Sequence, residues 1–272
     1  MSRAHAIAQD LLFWLPLIMK LVLTAGIVVT ASVIVERTGP LIGALVVTLP
    51  VTVWPAYLFF SLDHDASYLA ISAQASLVVN AVSAASLLLY LVLAQKRGLA
   101  VSLGVALASW IVLAWMVWSY DWTLYGAGVL NLIVYPLCLT LSKRYREVRA
   151  PRMVRQWYEL PARTAIVCTL MGGVLLLSYW GGPRAAGMLA VYPISTTCTI
   201  LLLHPRIGGR ASAAVIANGL WGLFGLGLGL FTLASTVLPW GTPLALALLL
   251  GVPVTWNLSV WWIRQRSGAS PR

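Results

Sequence analysis

The stretch VYPISTT, residues 191 to 197, places a proline and three hydroxyl side chains inside a long apolar run. An earlier apolar run contains TLPVTVW at residues 48 to 54. Proline removes one backbone hydrogen bond and clashes with the preceding turn, so each run is predicted to be a helix that kinks or breaks at its proline. Inside a membrane the freed carbonyl groups need partners from neighbouring helices, hydroxyl groups or a water-filled cavity. The two stretches therefore indicate special positions within membrane-spanning helices.

The composition indicates a membrane protein with many spans. Of the 272 residues, 60% are hydrophobic and only 9% are charged, and the mean hydropathy is +0.89. Apolar runs of about 18 or more residues predict transmembrane helices, and the alternating pattern of a membrane barrel is absent. We predict an all-α polytopic protein of about nine transmembrane helices, at residues 11–35, 40–60, 66–94, 100–119, 122–141, 161–181, 184–203, 211–236 and 243–263.

The positive charge is distributed unequally between the two sides of the membrane. With nine spans, fourteen lysine and arginine residues fall on one side, and only Arg3 and Arg184 fall on the side of the N-terminus. The positive-inside rule makes the first side cytoplasmic, with the N-terminus out and the C-terminus in. The basic loop 143–160 is therefore expected to contact anionic lipid rather than nucleic acid. A cleavable signal peptide is not expected, because the N-terminus carries an acid and no small-residue cleavage site follows the first apolar run.

An offset of 143 residues aligns the two halves of the chain. It places GPLIGALVVTLPVT (39–52) on GPRAAGMLAVYPIS (182–195) and matches both prolines of the opening stretches. Five spans separate equivalent points, and an odd number reverses direction across the membrane, which predicts an inverted-topology 4+1+4 repeat. The predicted organisation is a first four-helix repeat (1–120), a linker transmembrane helix (121–142), the basic cytoplasmic loop (143–160), a second, inverted four-helix repeat (161–264) and a cytoplasmic tail (265–272).

The paired prolines predict a substrate site near the bilayer midplane. Pro50 and Pro193 each lie ten residues beyond the glycine-proline pair that begins their helix, or about 15 Å along the axis. Inverted-repeat transporters bind substrate where such broken helices meet. A simple kink, with hydroxyl groups bonded to their own helix, is the alternative. The candidate substrate-binding residues are Thr48, Pro50, Thr52, Gln74, Tyr192, Pro193, Ser195, Thr196, Thr197 and Asn218.

Two further polar positions and two basic residues enter this hypothesis. Gln74 and Asn218 nearly coincide under the 143-residue offset, so they either line one cavity or form interhelical hydrogen bonds. Lys20 and Arg163 coincide under the same offset. They either attract an anionic substrate or extend to the lipid headgroups.

Several classes of chemistry are disfavoured. No Asp or Glu lies in the central part of a predicted span, which argues against a cationic substrate and against proton coupling through a buried acid. The three histidines form no metal or catalytic motif, and Cys138, Cys168 and Cys198 are too scattered for a metal site and are typical of small buried apolar residues. We therefore predict no enzymatic activity, no bound metal and no cofactor, while a sodium site built from backbone carbonyls and hydroxyl groups stays open.

The stretch GMLAVYPISTTCTILLLH (187–204) has a glycine six residues before a proline within the helix and ends in histidine. In these features it resembles the GlpM-type small bacterial inner-membrane proteins. The resemblance implies a multi-pass protein of a bacterial inner membrane, built from a duplicated four-helix unit. It implies no substrate, and Ser61 occupies the position equivalent to His204 in the first half.

Taken together, the sequence predicts a secondary transporter or facilitator of a small neutral or anionic solute. Two other classes stay open. One is a non-transporting scaffold or accessory subunit of an envelope-assembly complex, and the other is a lipid-handling protein with a groove open sideways to the bilayer. The expected partners are the lipid bilayer and a small-molecule solute, and a homo-oligomer is compatible with the sequence.

Overall fold

The computed structural model describes residues 53–146, 148 and 159–266, together with eight helical residues between 18 and 30. Every regular element within these residues is helical. We number the long elements in chain order: α1 (Val53–Asp63), α2 (Ala66–Leu93), α3 (Leu99–Trp118), α4 (Leu124–Ser142, continued by a 3-10 turn at Lys143–Tyr145), α5 (Glu159–Ala190), α6 (Ile194–Trp240) and α7 (Thr242–Arg266).

The described helices have the length and composition of membrane spans. Five segments are long and apolar enough to cross a bilayer: Ala66–Leu93, Leu99–Trp118, Leu124–Tyr145, Gly181–Trp240 and Thr242–Ile263. The prediction of a helical, multi-pass membrane protein is confirmed at this level. Only eight residues of the predicted span 11–35 and the last eight of the span 40–60 are among the described residues, so the number nine stays a prediction.

Glycines in the left-handed conformation divide two of the helices. Gly182 has a φ of 71° and Gly208 a φ of 79°, values that favour glycine because a side chain would be strained there. The first glycine separates residues 183–190, which we call the α5 arm, from the rest of α5. The second separates residues 194–207 from residues 209–240, which we call the α6 return section.

Helix α2 lies at the centre of the described bundle. Along the α5 arm and residues 194–207, the contacts of α2 advance in the same direction, from Ser72 with Pro183 to Tyr90 with His204. Along the α6 return section they run the opposite way, because Tyr90 contacts Ser212 whereas Asn80 contacts Leu223. Helix α2 is therefore parallel to the first pair of segments and antiparallel to the return section.

The outer faces of α3 and α4 carry large apolar side chains, which suits contact with lipid. Exposed examples include Ile111, Trp115, Leu132, Ile133 and Leu137. In a soluble protein such surfaces would be liabilities, but on a transmembrane helix they face hydrocarbon of equal polarity. These faces therefore indicate a bilayer environment.

The two ends of the bundle differ in the charged side chains that they carry. The end of α1, the start of α2 and the α3–α4 connection hold the three described aspartates, and we call this the acidic end: Asp63, Asp65 and Asp121. The other end of α2, the end of α4 and the Gly208 turn hold a set of cations, and we call this the basic end: Lys96, Arg97, Lys143, Arg144, Arg146, Arg206 and Arg210. The asymmetry expected from the sequence is thus present within the fold.

Candidate functional site: an interrupted helix below a polar vestibule

The chain is interrupted at Pro193, as the sequence predicts. Helix α5 ends at Ala190 and α6 begins at Ile194. Since proline has no N–H group, Pro193 leaves the Leu189 carbonyl without its usual helical donor. The N–H of Tyr192 donates to that carbonyl over 3.0 Å, and the N–H of Ile194 donates to the Tyr192 carbonyl over 2.6 Å. With φ −73° and ψ 56°, Pro193 adopts an inverse γ-turn, so short backbone turns cap the interruption.

The three hydroxyl residues after the proline occupy the first turn of α6. Thr197 is buried, and Ser195 and Thr196 are half-buried. The N–H of Thr197 donates to the Pro193 carbonyl over 2.8 Å, and the hydroxyl of Thr199 donates to the Ser195 carbonyl over 2.8 Å. These bonds stay within the first turns of α6 and the proline that precedes them.

Helix α2 supplies hydroxyl groups to the α5 arm, which sequence reasoning missed. The hydroxyl of Ser76 donates to the Gly187 carbonyl over 2.5 Å, and that of Ser72 donates to the Pro183 carbonyl over 2.9 Å. Tyr57 of α1 joins the Ser76 hydroxyl at 2.7 Å. The two serines are four residues apart and so share one helix face, a spacing that could have identified them.

A glycine allows the α5 arm to approach α2 closely. A methyl group at Gly187 would overlap the backbone of Ser72, including its carbonyl oxygen. Small residues at such crossings let two backbones pack without intervening side chains. The position of the Pro193 interruption relative to α2 therefore depends on Gly187.

A cavity of about 50 Å³ opens beside the α5 arm toward the acidic end. We call it the vestibule. Its walls come from α2, from α3 with the α3–α4 connection, and from the α5 arm: Ile71, Gln74, Ala75, Val78, Val79, Val117, Trp118, Tyr120, Trp122, Arg184 and Met188. The side chain of Gln74 donates to the Trp122 carbonyl. Arg184 forms an ion pair with Asp121 at 2.5 Å, and its guanidinium lies 5.9 Å from the ring centre of Trp118.

The vestibule approaches the interruption through a column of side chains. Met188 lines the vestibule and belongs to a buried cluster with Trp110, against which Tyr192 packs. The rings of Tyr192 and Trp110 meet edge to face with centres 5.0 Å apart. The indole N–H of Trp110 donates to the Ser83 hydroxyl over 3.0 Å. Tyr192 thus lies between the vestibule and Pro193.

Gln74 and Asn218 are not brought together. Gln74 lies in the vestibule, whereas Asn218 donates to the Ala214 carbonyl on its own helix over 2.9 Å. Helix α2 and the return section are antiparallel and cross at Asn80 and Leu223. Gln74 precedes the crossing on one helix and Asn218 precedes it on the other, so the two residues lie on opposite sides of the crossing. The two side chains are separated by about 16 Å along the crossing. The interhelical hydrogen-bond alternative fits Gln74, which bonds to the α3–α4 connection.

The remaining predicted residues are less fully described. Lys20, Thr48, Pro50 and Thr52 lie outside the described residues. Arg163 lies within α5, and its side chain is also outside the described set. The expected meeting of Pro50 with the Pro193 interruption therefore stays a prediction.

At the basic end, a chain of buried polar groups joins three segments. The Tyr90 hydroxyl lies 2.9 Å from Nδ1 of His204 and 2.8 Å from the Ser212 hydroxyl. Nearby, a methyl group at Gly209 would overlap the Ala94 carbonyl oxygen. Helix α2 therefore closes tightly against both sides of the Gly208 turn.

A second buried polar cluster lies where α2 crosses the return section. The Asn80 amide donates to the Asn131 side-chain oxygen of α4 over 3.1 Å and to the Leu223 carbonyl over 3.2 Å. Asn131 donates in turn to the Leu77 and Ala127 carbonyls over 2.7 and 2.8 Å. This cluster connects α4 to both helices of the crossing.

No group of three or more histidine, cysteine, aspartate or glutamate side chains suited to a metal ion occurs in the part of the chain that the structure describes. No protein-family model, curated protein or solved structure matches the chain. The resemblance to GlpM-type proteins therefore stays a prediction.

Proposed function

We propose that this chain is a membrane transporter or facilitator of a small neutral or anionic solute, which binds at the Pro193 interruption. The observation that carries the proposal is the column from the polar vestibule through Met188 and Tyr192 to non-helical backbone. Irregular backbone at membrane depth is tolerated where protein or a water-filled cavity satisfies its polar groups. In secondary transporters such interrupted helices form the substrate site.

The contacts along α2 support an inverted repeat. Asn80 bonds to Leu223, which is 143 residues away, the same offset that aligns the two halves of the sequence. A two-fold axis through this point would pair the Tyr90–Ser212 contact with one between Leu69 and Leu233. Both of these leucines are fully buried in one cluster. Asn131 of α4, the proposed linker helix, lies at the same crossing.

The two ends of the bundle support alternating access. The vestibule opens toward the acidic end, whereas the Tyr90 cluster and the Gly209 contact close the basic end. We place the acidic end outside and the basic end in the cytoplasm of a bacterial inner membrane, with anionic lipid around the cations. Gly182, Pro193 and Gly208 are the backbone positions about which the α5 arm and residues 194–207 would rock.

The vestibule chemistry supports the proposed class of solute. Arg184 is the one charged residue in its lining, and no carboxylate lines it. A cation would meet a guanidinium whose charge is already balanced by Asp121 outside the lining, and the lining itself offers it no carboxylate. A neutral or anionic solute would instead be accepted by the guanidinium and by the Gln74 amide.

Thiol accessibility tests the proposal without knowledge of the solute. Tyr192→Cys would be made in a chain whose own cysteines, Cys138, Cys168 and Cys198, are replaced. The protein would be reconstituted in sealed vesicles of known orientation and treated with a membrane-impermeant maleimide from one side at a time. Alternating access predicts labelling of Tyr192→Cys from both sides.

Two further positions serve as controls. Tyr120→Cys lies in the vestibule lining at the acidic end and should be labelled from that side alone. Leu132→Cys, whose native side chain is 59% exposed on a lipid-facing surface, should resist a water-soluble reagent. Labelling of Tyr192→Cys from one side only, or from neither, contradicts the proposed transport cycle.

A further inference from the structure

A second cavity, which we call the lateral cavity, has a volume of about 190 Å³ and lies between α2, α4 and α6. Its wall includes Leu77 of α2, Gly128 and Asn131 of α4, and Phe224 and Phe231 of α6. The absence of a side chain at Gly128 creates part of this space, because a methyl group there would lie 3.3 Å from the Phe231 ring. The lateral cavity is separate from the vestibule, with which it shares no lining residue.

The polar groups of the lateral cavity offer little to water. Asn131 supplies its one polar side chain. Both hydrogens of that amide are donated to backbone carbonyls, and its oxygen accepts from Asn80. A buried water needs two to four polar partners, and apolar cavities of about 150 Å³ stay dry and bind small hydrocarbons. The lateral cavity is therefore suited to hydrocarbon.

The lateral cavity opens toward the bilayer. Leu132 lines it and is 59% exposed, and it continues the exposed apolar face of α4 formed by Val129, Ile133 and Leu137. Leu132 lies eight residues beyond the start of α4, about 12 Å along the axis and well inside the hydrocarbon layer. At this depth the surrounding molecules are the acyl chains of lipids.

We propose that the lateral cavity binds the end of a lipid acyl chain that enters sideways from the bilayer beside Leu132. The acyl chain gains van der Waals contacts with the rings of Phe224 and Phe231, which it does not have when only other lipids surround it. It also lies next to the crossing of α2 with the return section. An acyl chain at this position supports that crossing from the lipid side. The proposal stands independently of solute transport.

Photochemical labelling tests whether a lipid acyl chain occupies the lateral cavity. The full-length protein would be reconstituted with a phosphatidylcholine that carries a diazirine near the end of one acyl chain, and adducts would be located by mass spectrometry. We expect about threefold higher adduct yield at Leu132 and Phe231 than at the matched control residue Ile111. Ile111 is 61% exposed and lies about 11 Å from its end of α3, a comparable depth.

Filling the cavity supplies the second arm of the experiment. Gly128→Leu, or Leu228→Phe at another lining position if the first variant does not fold, should reduce the yield at Phe231 to that of Ile111 without changing Ile111 itself. Equal yields at Leu132 and Ile111 in the unmodified protein would overturn the proposal. So would efficient disulfide dimers of a Leu132→Cys variant that lacks the native cysteines, because a second copy of the chain would then occupy the cavity mouth.

Discussion

The two ends of α2 are packed in different ways. Toward the acidic end, Ser72 and Ser76 bind carbonyls of the α5 arm, and the vestibule opens alongside. Toward the basic end, Tyr90 fills the space between the two sides of the Gly208 turn and bonds to both. A glycine touches the α2 backbone at each end, through Gly187 and Gly209. The Tyr90 side chain therefore fills, at the basic end, a space that stays open at the acidic end, although a glycine brings the backbones close at both ends.

The largest effect is expected from separating the backbones at the acidic end. Gly187→Ala should destabilise the protein by about 3 kcal/mol or more, because the new methyl group overlaps Ser72 and the helices must move apart. The loss would be measured as a lower melting temperature in detergent and a smaller monodisperse yield. Gly219→Ala is the matched control, since nothing lies near that position. Equal melting temperatures for the two variants would contradict the close crossing.

Opening the basic end should have the next largest effect. Tyr90→Phe removes the hydroxyl shared by His204 and Ser212 and leaves two buried polar groups without this partner, at a cost of about 2 kcal/mol. Thermal denaturation would measure the change. Tyr125→Phe, at a side chain that is 77% exposed, should leave the melting temperature unchanged. A neutral result for Tyr90→Phe would mean that the Tyr90 cluster does not hold this end closed.

A smaller effect is expected from the hydroxyls at the acidic end. Ser76→Ala removes the bonds to Gly187 and Tyr57 and should cost about 1 kcal/mol, within the range measured for hydrogen bonds between membrane helices. The melting temperature should fall less than for Tyr90→Phe. Ser109→Ala provides the control because that hydroxyl bonds only within its own helix. A loss for Ser76→Ala larger than that for Tyr90→Phe would reverse the ranking of the two ends.

The smallest effect on stability should come from the vestibule charge. The Arg184–Asp121 pair is exposed, with side-chain exposures of 42% and 93%, so Arg184→Gln should cost less than about 0.5 kcal/mol. Its effect should instead appear in labelling of Tyr192→Cys, where a negatively charged thiol reagent should react about threefold more slowly while a neutral reagent is unaffected. Equal slowing of both reagents would indicate a change of shape rather than of charge.

The sequence predicted the described helices well because their signals are local. Apolar length located the spans 66–94 and 100–119 close to α2 and α3, and the missing N–H of Pro193 predicted the interruption between α5 and α6. The predicted spans 184–203 and 211–236 also lie in the observed helices, although the structure joins them in α6 through the turn at Gly208.

The site was less predictable because it depends on contacts between distant residues. The roles of Ser72 and Ser76 follow from the position of Gly187, more than 100 residues away. Gln74 and Asn218 nearly match under the 143-residue offset but do not lie close together, and the reason is physical. An antiparallel crossing moves matched residues to opposite ends, so similarity under the offset does not mean proximity.

The Asn80–Leu223 contact has an implication for the origin of the chain, if the proposed repeat is correct. In an ancestral pair of identical subunits, a residue on the two-fold axis would have faced its own copy, and any substitution would have changed both partners at once. Here the side-chain amide of Asn80 donates to the backbone carbonyl of Leu223. The leucine side chain has no donor with which to form the equivalent bond in the opposite direction. Such a mismatched pair can become fixed only after gene duplication has given each half its own codon.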